Sequence, residues 1–483
     1  ILNFVNTMKI NEAVELIQEF YLVNDFFLAK VTLPEQEVVD GIIYLNINEG
    51  RLDKKDPYVI KAENLRLYKD ILTDYLENAL STGVTKNGLE RALLNINDLP
   101  GISAVSTIEP GAEEGSSKIV LNVVEDDLVS GSITLDNHGN RYTAKQRNTI
   151  KIDFNNPSKI GDKLSITKTF NAGEKFDFTQ FDYEVPVGQS GFKAFASASR
   201  LEFEIGKELR TNPVSLGNAD TIEVGVKYPI QRTNNQSVFL KTSIEKKEIY
   251  NETTGVLTND KTLENAKIGL DFEGKNIFQD SSLTGVSVSG IFGDLDLSKV
   301  NSDYLNDQKA SGPKTHGDFN KVVLDFYHIH KFTDKINFKY YGSLQHASKN
   351  LDSSEKFSLG GVSGVRAYPS GEASGDEGHK LSFEVQYDLS KPDMDFDLIG
   401  TLFYDYGKIR QYKDSSNITL TTPNEYSLSG WGVSFDLIAN ERVKLNLGWA
   451  QAIGDNDGQS SSGNNSDGRG GSSRAWFQVV FRF

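Results

Sequence analysis

Leu381-Ser382-Phe383-Glu384-Val385-Gln386-Tyr387-Asp388-Leu389 alternates apolar and polar side chains without a break. Val443-Lys444-Leu445-Asn446-Leu447-Gly448-Trp449 does the same, and the chain closes on Phe477, Val479, Phe481 and Phe483 interleaved with Gln478, Val480 and Arg482. A period of two gives a strand one apolar and one polar face. Sixteen such segments follow Asp127, at about 128–137, 146–155, 162–172, 175–186, 192–205, 219–231, 237–252, 263–277, 282–295, 318–331, 335–347, 379–390, 397–411, 426–439, 443–453 and 474–483. Many reach the ~9–11 residues that a tilted strand needs to cross hydrocarbon. Long polar stretches join expected strands 5–6, 9–10, 11–12, 13–14 and 15–16, whereas a few residues join 4–5, 6–7, 8–9, 10–11 and 14–15. Short turns on one side and long loops on the other are the mark of a membrane barrel. A soluble sandwich or propeller would also alternate, but it has no need of an even strand count with alternating loop lengths, and no blade-length repeat is visible. The pattern predicts an all-β transmembrane barrel of 16 antiparallel strands over 128–483, wide enough to hold an aqueous channel.

Composition agrees with that reading. The chain has 483 residues, 38% hydrophobic and 24% charged, and no stretch approaches 18 consecutive apolar residues, which excludes helical membrane spans. A mean hydropathy of −0.41 suits a barrel, whose lumen-facing residues offset its lipid-facing ones. With 51 basic against 67 acidic residues the formal charge is −16, so a nucleic-acid partner is not expected. The absence of cysteine removes disulfides, thiolate nucleophiles and cysteine-based metal sites.

Before Asp127 the periodicity is mixed. Ala13, Leu16, Ile17 and Phe20 follow helical spacing behind Asn11, a suitable N-cap, which predicts a helix over about 11–23. Strands are expected at 27–31 and 42–47. A second round gives helices near 64–80 and 86–96, a break at Leu99-Pro100-Gly101, and strands near 104–108 and 119–124. Two small α+β modules in tandem, over 1–54 and 55–127, account for this.

At this level of detail the residues resemble a family, the outer-membrane transporters of bacterial two-partner secretion (TpsB type, haemolysin-activator or filamentous-haemagglutinin-secretion kind). Leu33-Pro34-Glu35-Gln36 with Asp40-Gly41 and Glu49-Gly50 is similar to that family's first POTRA domain, and Asn97-Asp98-Leu99-Pro100-Gly101 with Glu109-Pro110-Gly111 to its second. Asp136 to Thr143 resembles its first barrel hairpin, Asn156-Pro157 with Gly161-Asp162 its next turn, and Tyr228-Pro229-Ile230-Gln231-Arg232 a further shared stretch. The most specific likeness is Gly360-Gly361-Val362-Ser363-Gly364-Val365-Arg366-Ala367-Tyr368, which resembles the Val-Arg-Gly-Tyr motif of a long loop, here about 349–378, that folds back into the barrel. Phe403-Tyr404-Asp405-Tyr406-Gly407 resembles the Phe-x-Asp-x-Gly wall motif that receives the arginine. The resemblance thus implies a loop–barrel latch of Val365, Arg366, Tyr368, Phe403, Asp405 and Gly407. Planar guanidinium can make two parallel hydrogen bonds to a carboxylate, which lysine cannot copy. Ala367 and Ala144 stand where the family usually has glycine, and strain is expected at Ala367 if the position requires a positive φ. The resemblance also implies a plug helix and linker ahead of the first module, and Ile1 reads as lying inside or just before that module.

Other chemistry is set aside. The acidic residues form no local catalytic pair, and there is no phosphate-binding Gly-x-x-x-x-Gly-Lys-Ser/Thr loop; the glycines at 468–471 sit in a flexible Ser/Asn/Gly stretch. His328 and His330 share one strand face and read as lumen lining rather than a metal site. No enzyme activity, cofactor or metal is expected. The resemblance implies a pore in the bacterial outer membrane, with periplasmic POTRA domains whose sheet edges and grooves take up an unfolded exoprotein. An adhesin, haemolysin or contact-dependent inhibition toxin (TpsA type) would then pass to the surface without ATP. Outer-membrane lipid and the barrel-assembly machinery are further expected partners. The alternatives are a factor that inserts other barrels, on the same plan, and a passive porin or adhesin.

Overall fold

The computed structural model describes residues 7–483 except 39, 82 and 114. The start of the expected first module, residues 1–6, lies outside them. Sixteen antiparallel strands close into one barrel: β1 (Val129–Asp136), β2 (Arg147–Asn155), β3 (Lys163–Phe170), β4 (Phe176–Pro186), β5 (Lys193–Glu204), β6 (Leu216–Arg232), β7 (Gln236–Thr253), β8 (Val256–Lys275), β9 (Ser282–Asp296), β10 (Gly317–Lys331), β11 (Ile336–Ala347), β12 (Glu377–Asp388), β13 (Phe396–Arg410), β14 (Glu425–Ala439), β15 (Val443–Ile453) and β16 (Ser473–Arg482). Closure comes from β16 pairing with β1, with Arg482 opposite Ser132 and Gln478 opposite Asp136. Every strand predicted from alternation is present. No described helix is long and apolar enough to cross a membrane.

The alternation resolves into two faces. Ile222, Ile244, Ile268, Val322, Phe383, Leu402, Trp431, Leu447 and Phe481 point outward and are exposed, forming the apolar band that meets lipid. The alternate positions, such as Glu245, Asn265, Lys321, Gln345, Ser382 and Asp405, are buried inside. One stretch departs from expectation. Residues 253–262, read from sequence as the link between the seventh and eighth strands, continue the ladder, with Thr253 opposite Val256 and Asn251 opposite Asn259 across a bulge. Thr254 (φ 51°) and Gly255 (φ 77°) make the two-residue left-handed turn that suits a twisted hairpin. This hairpin overshoots the apolar band, so both its faces are polar and period two is lost.

Ahead of the barrel, α1 (Thr7–Val23) precedes a short antiparallel pair, Lys30–Thr32 with Asn46–Asn48. Gln18 fastens helix to strand by donating to the Ala29 carbonyl at 2.7 Å and accepting from the Val31 N–H at 2.9 Å. Both strands are shorter than expected. The next module places α2 (Lys69–Leu80) and α3 (Lys86–Asn97) on a four-stranded sheet around a core of Leu72, Leu76, Ile96, Ile119 and Leu121. Ser116–Glu125 is central, with Ile102–Pro110 antiparallel on one side and Tyr58–Ala62 parallel on the other. Tyr58–Ala62 was missed in the sequence, and α2 starts at Lys69 rather than 64, because Asn64 takes a left-handed φ of 55° that a helix does not allow. Arg51–Leu52, just before the expected boundary at 54, pairs with Ser116–Ser117 and so adds to the second module's sheet.

Candidate functional site: a loop fastened inside the barrel

The chain between β11 and β12 turns inward. Phe357, Leu359, Val365, Ala367, Tyr368 and Ala373 are buried against Phe403, Ile409, Tyr426, Leu428, Ala450 and Trp476 of the wall. The segment therefore packs inside the barrel against its inner wall. Strand parity explains the receiving surface: Leu402 and Tyr404 face outward, so Thr401, Phe403, Asp405 and Gly407 face in.

At the centre is Arg366, 8% exposed. Its Nε and Nη2 donate to the two oxygens of Asp405 at 2.8 and 2.7 Å, and its backbone N–H donates to the same carboxylate at 3.0 Å. Nη1 donates to Glu384 at 2.7 Å and Nη2 also to the Ser382 hydroxyl at 2.8 Å. Ser382 in turn donates to Asp405 at 2.6 Å, and the Tyr341 hydroxyl donates to Glu384 at 2.9 Å. The guanidinium lies 3.4 Å above the Phe403 ring centroid, a cation–π stack that caps its remaining face. A buried cation is tolerable only with such full pairing.

All six residues expected at the latch meet here or beside it. Val365 is fully buried and donates its N–H to the Leu359 carbonyl at 2.7 Å, setting the turn that presents Arg366. Tyr368 is 3% exposed. Gly407 allows close approach: a Cβ there would stand 2.6 Å from Leu359 Cδ2. The concern over Ala367 is resolved, since its φ is not in the left-handed region and its methyl group sits against Gly430, whose own Cβ would come within 2.7 Å.

Sequence reasoning missed Ser382, Glu384 and Tyr341. Register brings them in, because Ser382 stands opposite both Asp405 and Tyr341. It also misplaced the histidine pair. His328 and His330 share the parity of outward-facing Val322 on β10, not that of lumen-facing Lys321. His328 stacks on Tyr340 and meets Phe278, while His330 meets Phe332, so they join an aromatic girdle on the lipid face. No cluster of metal-ligating side chains occurs among the described residues.

At the opposite end of the barrel the second module is pinned across the mouth. Arg232 at the end of β6 donates through Nε and Nη2 to Asp98 at 2.9 and 2.7 Å, and Lys193 donates to the Asp98 carbonyl at 2.9 Å. This pairing joins two of the stretches singled out in the sequence, 97–101 and 228–232. A cavity of about 570 Å³ opens beside it, lined by Asp98, Arg232, Asp271, Glu273 and Tyr327 among others.

Known proteins share this fold. The family described as haemolysin secretion/activation protein ShlB/FhaC/HecB matches residues 115–437. The chain belongs to that family. Residues 4–50 match the ShlB-type POTRA domain. The heme/hemopexin transporter protein HuxB of Haemophilus influenzae (strain 86-028NP) is 26% identical over 444 residues, covering 91% of this chain and 76% of that one. The outer membrane transporter CdiB of Dickeya dadantii is 24% identical over 388 residues, 77% of this chain and 65% of the relative. Among solved structures, CdiB from Escherichia coli superposes with a TM-score of 0.78 at 18% identity, over 99% of this chain and 85% of its own. BamA from Haemophilus ducreyi reaches 0.56 at 11% identity, a likeness of fold alone that does not favour the insertion alternative. The protein is an outer-membrane barrel with POTRA modules on the periplasmic side, and it carries a secreted exoprotein to the cell surface. Its family is one of transporters.

Proposed function

We propose that this transporter is gated by the Arg366–Asp405 latch and works without catalysis, cofactor or ATP. The observation that carries the reading is a loop folded into the barrel whose central arginine is fully paired to wall residues on β12 and β13. Unfolded exoprotein first adds as a strand to a POTRA sheet edge, where backbone hydrogen bonds give affinity and apolar grooves give selectivity. Engagement then shifts the loop population toward a cleared state, and folding outside makes return unfavourable. The similarity to a heme/hemopexin transporter favours an exoprotein that handles heme or hemopexin, with an adhesin, haemolysin or inhibition toxin as the other classes. Lipid holds the outward apolar band, and the barrel-assembly machinery inserts the protein.

The test is secretion of exoproteins encoded beside this gene, measured in culture medium with and without the protein. Loss of one large exoprotein with other barrels unaffected supports the reading. A general fall in barrel assembly with no specific secretion defect overturns it.

A further inference from the structure

The inward loop has a second fastening on a different stretch of wall. Leu351, 2% exposed, is seated among Leu263, Leu295, Phe319 and Ala347. Next to it, Asp352 accepts from Lys261 Nζ through both oxygens, at 2.9 and 2.8 Å. Glu355, 4% exposed, pairs with Lys247 at 2.7 Å and with Lys321 at 2.7 Å, and its backbone carbonyl accepts from Lys321 at 2.9 Å. The lysines stand on β7, β8 and β10, toward the strand ends away from the POTRA modules, whereas the Arg366 contacts lie on β12 and β13.

This seat makes little sense as the lining of an open pore. Leucines facing an aqueous lumen gain nothing unless covered, and buried lysines without counter-charges are costly. Leu351, Asp352 and Glu355 supply both the apolar cover and the two carboxylates. We propose that Asp352 and Glu355 are positioning residues that hold the root of the loop on a cradle of Lys247, Lys261 and Lys321, independently of Arg366, so that the pore clears only when both fastenings release. The inference deepens the latch reading above and rests on it.

Tethering gives the arrangement its consequence. With Glu355 held, only ten residues, 356–365, lie between the two fastenings. A freed Arg366 then stays close to Asp405 at high effective concentration and rebinds. Release of the root lengthens the free leg back to Ala347 and lets the segment leave. Departure also changes the lumen's charge. Lys247 keeps Glu245 at 3.2 Å, but Lys261 and Lys321 lose the carboxylates that the loop brought. The cleared pore should therefore shift toward anion preference.

Because the chain has no cysteine, single labels report each end cleanly. Spin labels at Ser353→Cys and at Ser363→Cys, both exposed positions, would be read in the full-length protein in lipid vesicles. In Arg366→Ala the label at 363 should gain mobility while that at 353 stays immobile. In Asp352→Asn/Glu355→Gln the pattern should reverse. Only the combined variant should free both labels, raise open-channel events in planar bilayers, and move the reversal potential toward anions. Lys247→Met/Lys261→Met/Lys321→Met removes the same contacts from the wall side and serves if the carboxylate variant does not assemble. Mobility at 353 in Arg366→Ala, or immobility there in both cradle variants, overturns the independent fastening. Immobility at 363 in Arg366→Ala counts instead against the latch.

Discussion

Replacing Asp405 by alanine is the sharpest perturbation of the latch. It removes both acceptors of the Arg366 fork, the acceptor of its backbone N–H, and the acceptor of the Ser382 hydroxyl. Removing one partner of a buried ion pair costs about 3–5 kcal/mol, chiefly because a charge is left buried without its counter-ion. Glu384 and the Phe403 face still hold the cation, which argues for the lower end, about 3 kcal/mol. At ~1.4 kcal/mol per factor of ten, the docked population of the tip should fall by roughly a hundredfold. Arg366→Lys should behave almost as badly, because an ammonium cannot make the fork and stack together. The assay is twofold: exoprotein in the medium at matched barrel abundance, and loop-tip mobility in purified protein. Arg366→Ala, Asp405→Ala and the double variant form a cycle, in which the double should cost far less than the two singles summed. Additive losses, or an unchanged tip in Asp405→Ala, would show that the pair is a bystander of packing.

Gly407→Val would drive a branched side chain into fully buried Leu359, an overpacking of about 1–3 kcal/mol, read as a loosened loop by protease nicking within 349–378. Asp98→Ala would unpin the second module from the barrel mouth at a cost of about 1–3 kcal/mol for a charged, partly exposed pair. Secretion should fall, the barrel should remain folded, and Asp98→Arg with Arg232→Asp should restore part of it. Asp53 accepts backbone N–H groups from Ala112, Lys55 and Asp56, which hold its carboxyl at about 2 against an ordinary 3.8. Its contribution to the second module is complete above about pH 4 and is lost as pH falls toward 2. Protection of the Lys55, Asp56 and Ala112 amides relative to their intrinsic exchange rates should therefore fall over that interval in the parent protein but not in Asp53→Asn.

The barrel was legible because lipid on one side and water on the other force period two wherever a strand crosses the bilayer. Where that force ends, legibility ended too: Thr258 and Asp260 continue β8 beyond the apolar band, and nothing in their alternation distinguishes them from a loop. Tyr58–Ala62 was missed because a five-residue parallel strand has too few residues to show a period. The latch pair was legible only through its motif, since Arg366 and Asp405 lie 39 positions apart. Glu384 and Tyr341 were invisible because cross-strand register decides their place. Likewise Lys247, Lys261 and Lys321 read as ordinary polar members of three strands, and only closure of the cylinder brings them together around Glu355 and Asp352.

A gate of this kind must be strong enough to hold and weak enough for a cargo to open. Turning a closed-to-open ratio of 99:1 into its inverse needs about 5.5 kcal/mol of differential binding. The edge strand Ile102–Pro110 offers nine residues, of which every second one turns its N–H and C=O away from the sheet. That supplies about eight hydrogen bonds, each worth about 0.5–1.5 kcal/mol net, or roughly 4–12 kcal/mol before the cargo's ordering cost is subtracted. Ordering nine extended residues costs about 1–2 kcal/mol each, so strand addition alone leaves too little to release both fastenings. An exoprotein that only docks on a POTRA edge should leave the loop in place. Clearing the lumen then requires contacts deeper in, at the mouth beside Asp98 and Arg232, where the second module already touches the barrel. A cargo fragment limited to its strand-adding segment should accordingly bind without raising open-channel events, and an extended fragment reaching the mouth should raise them.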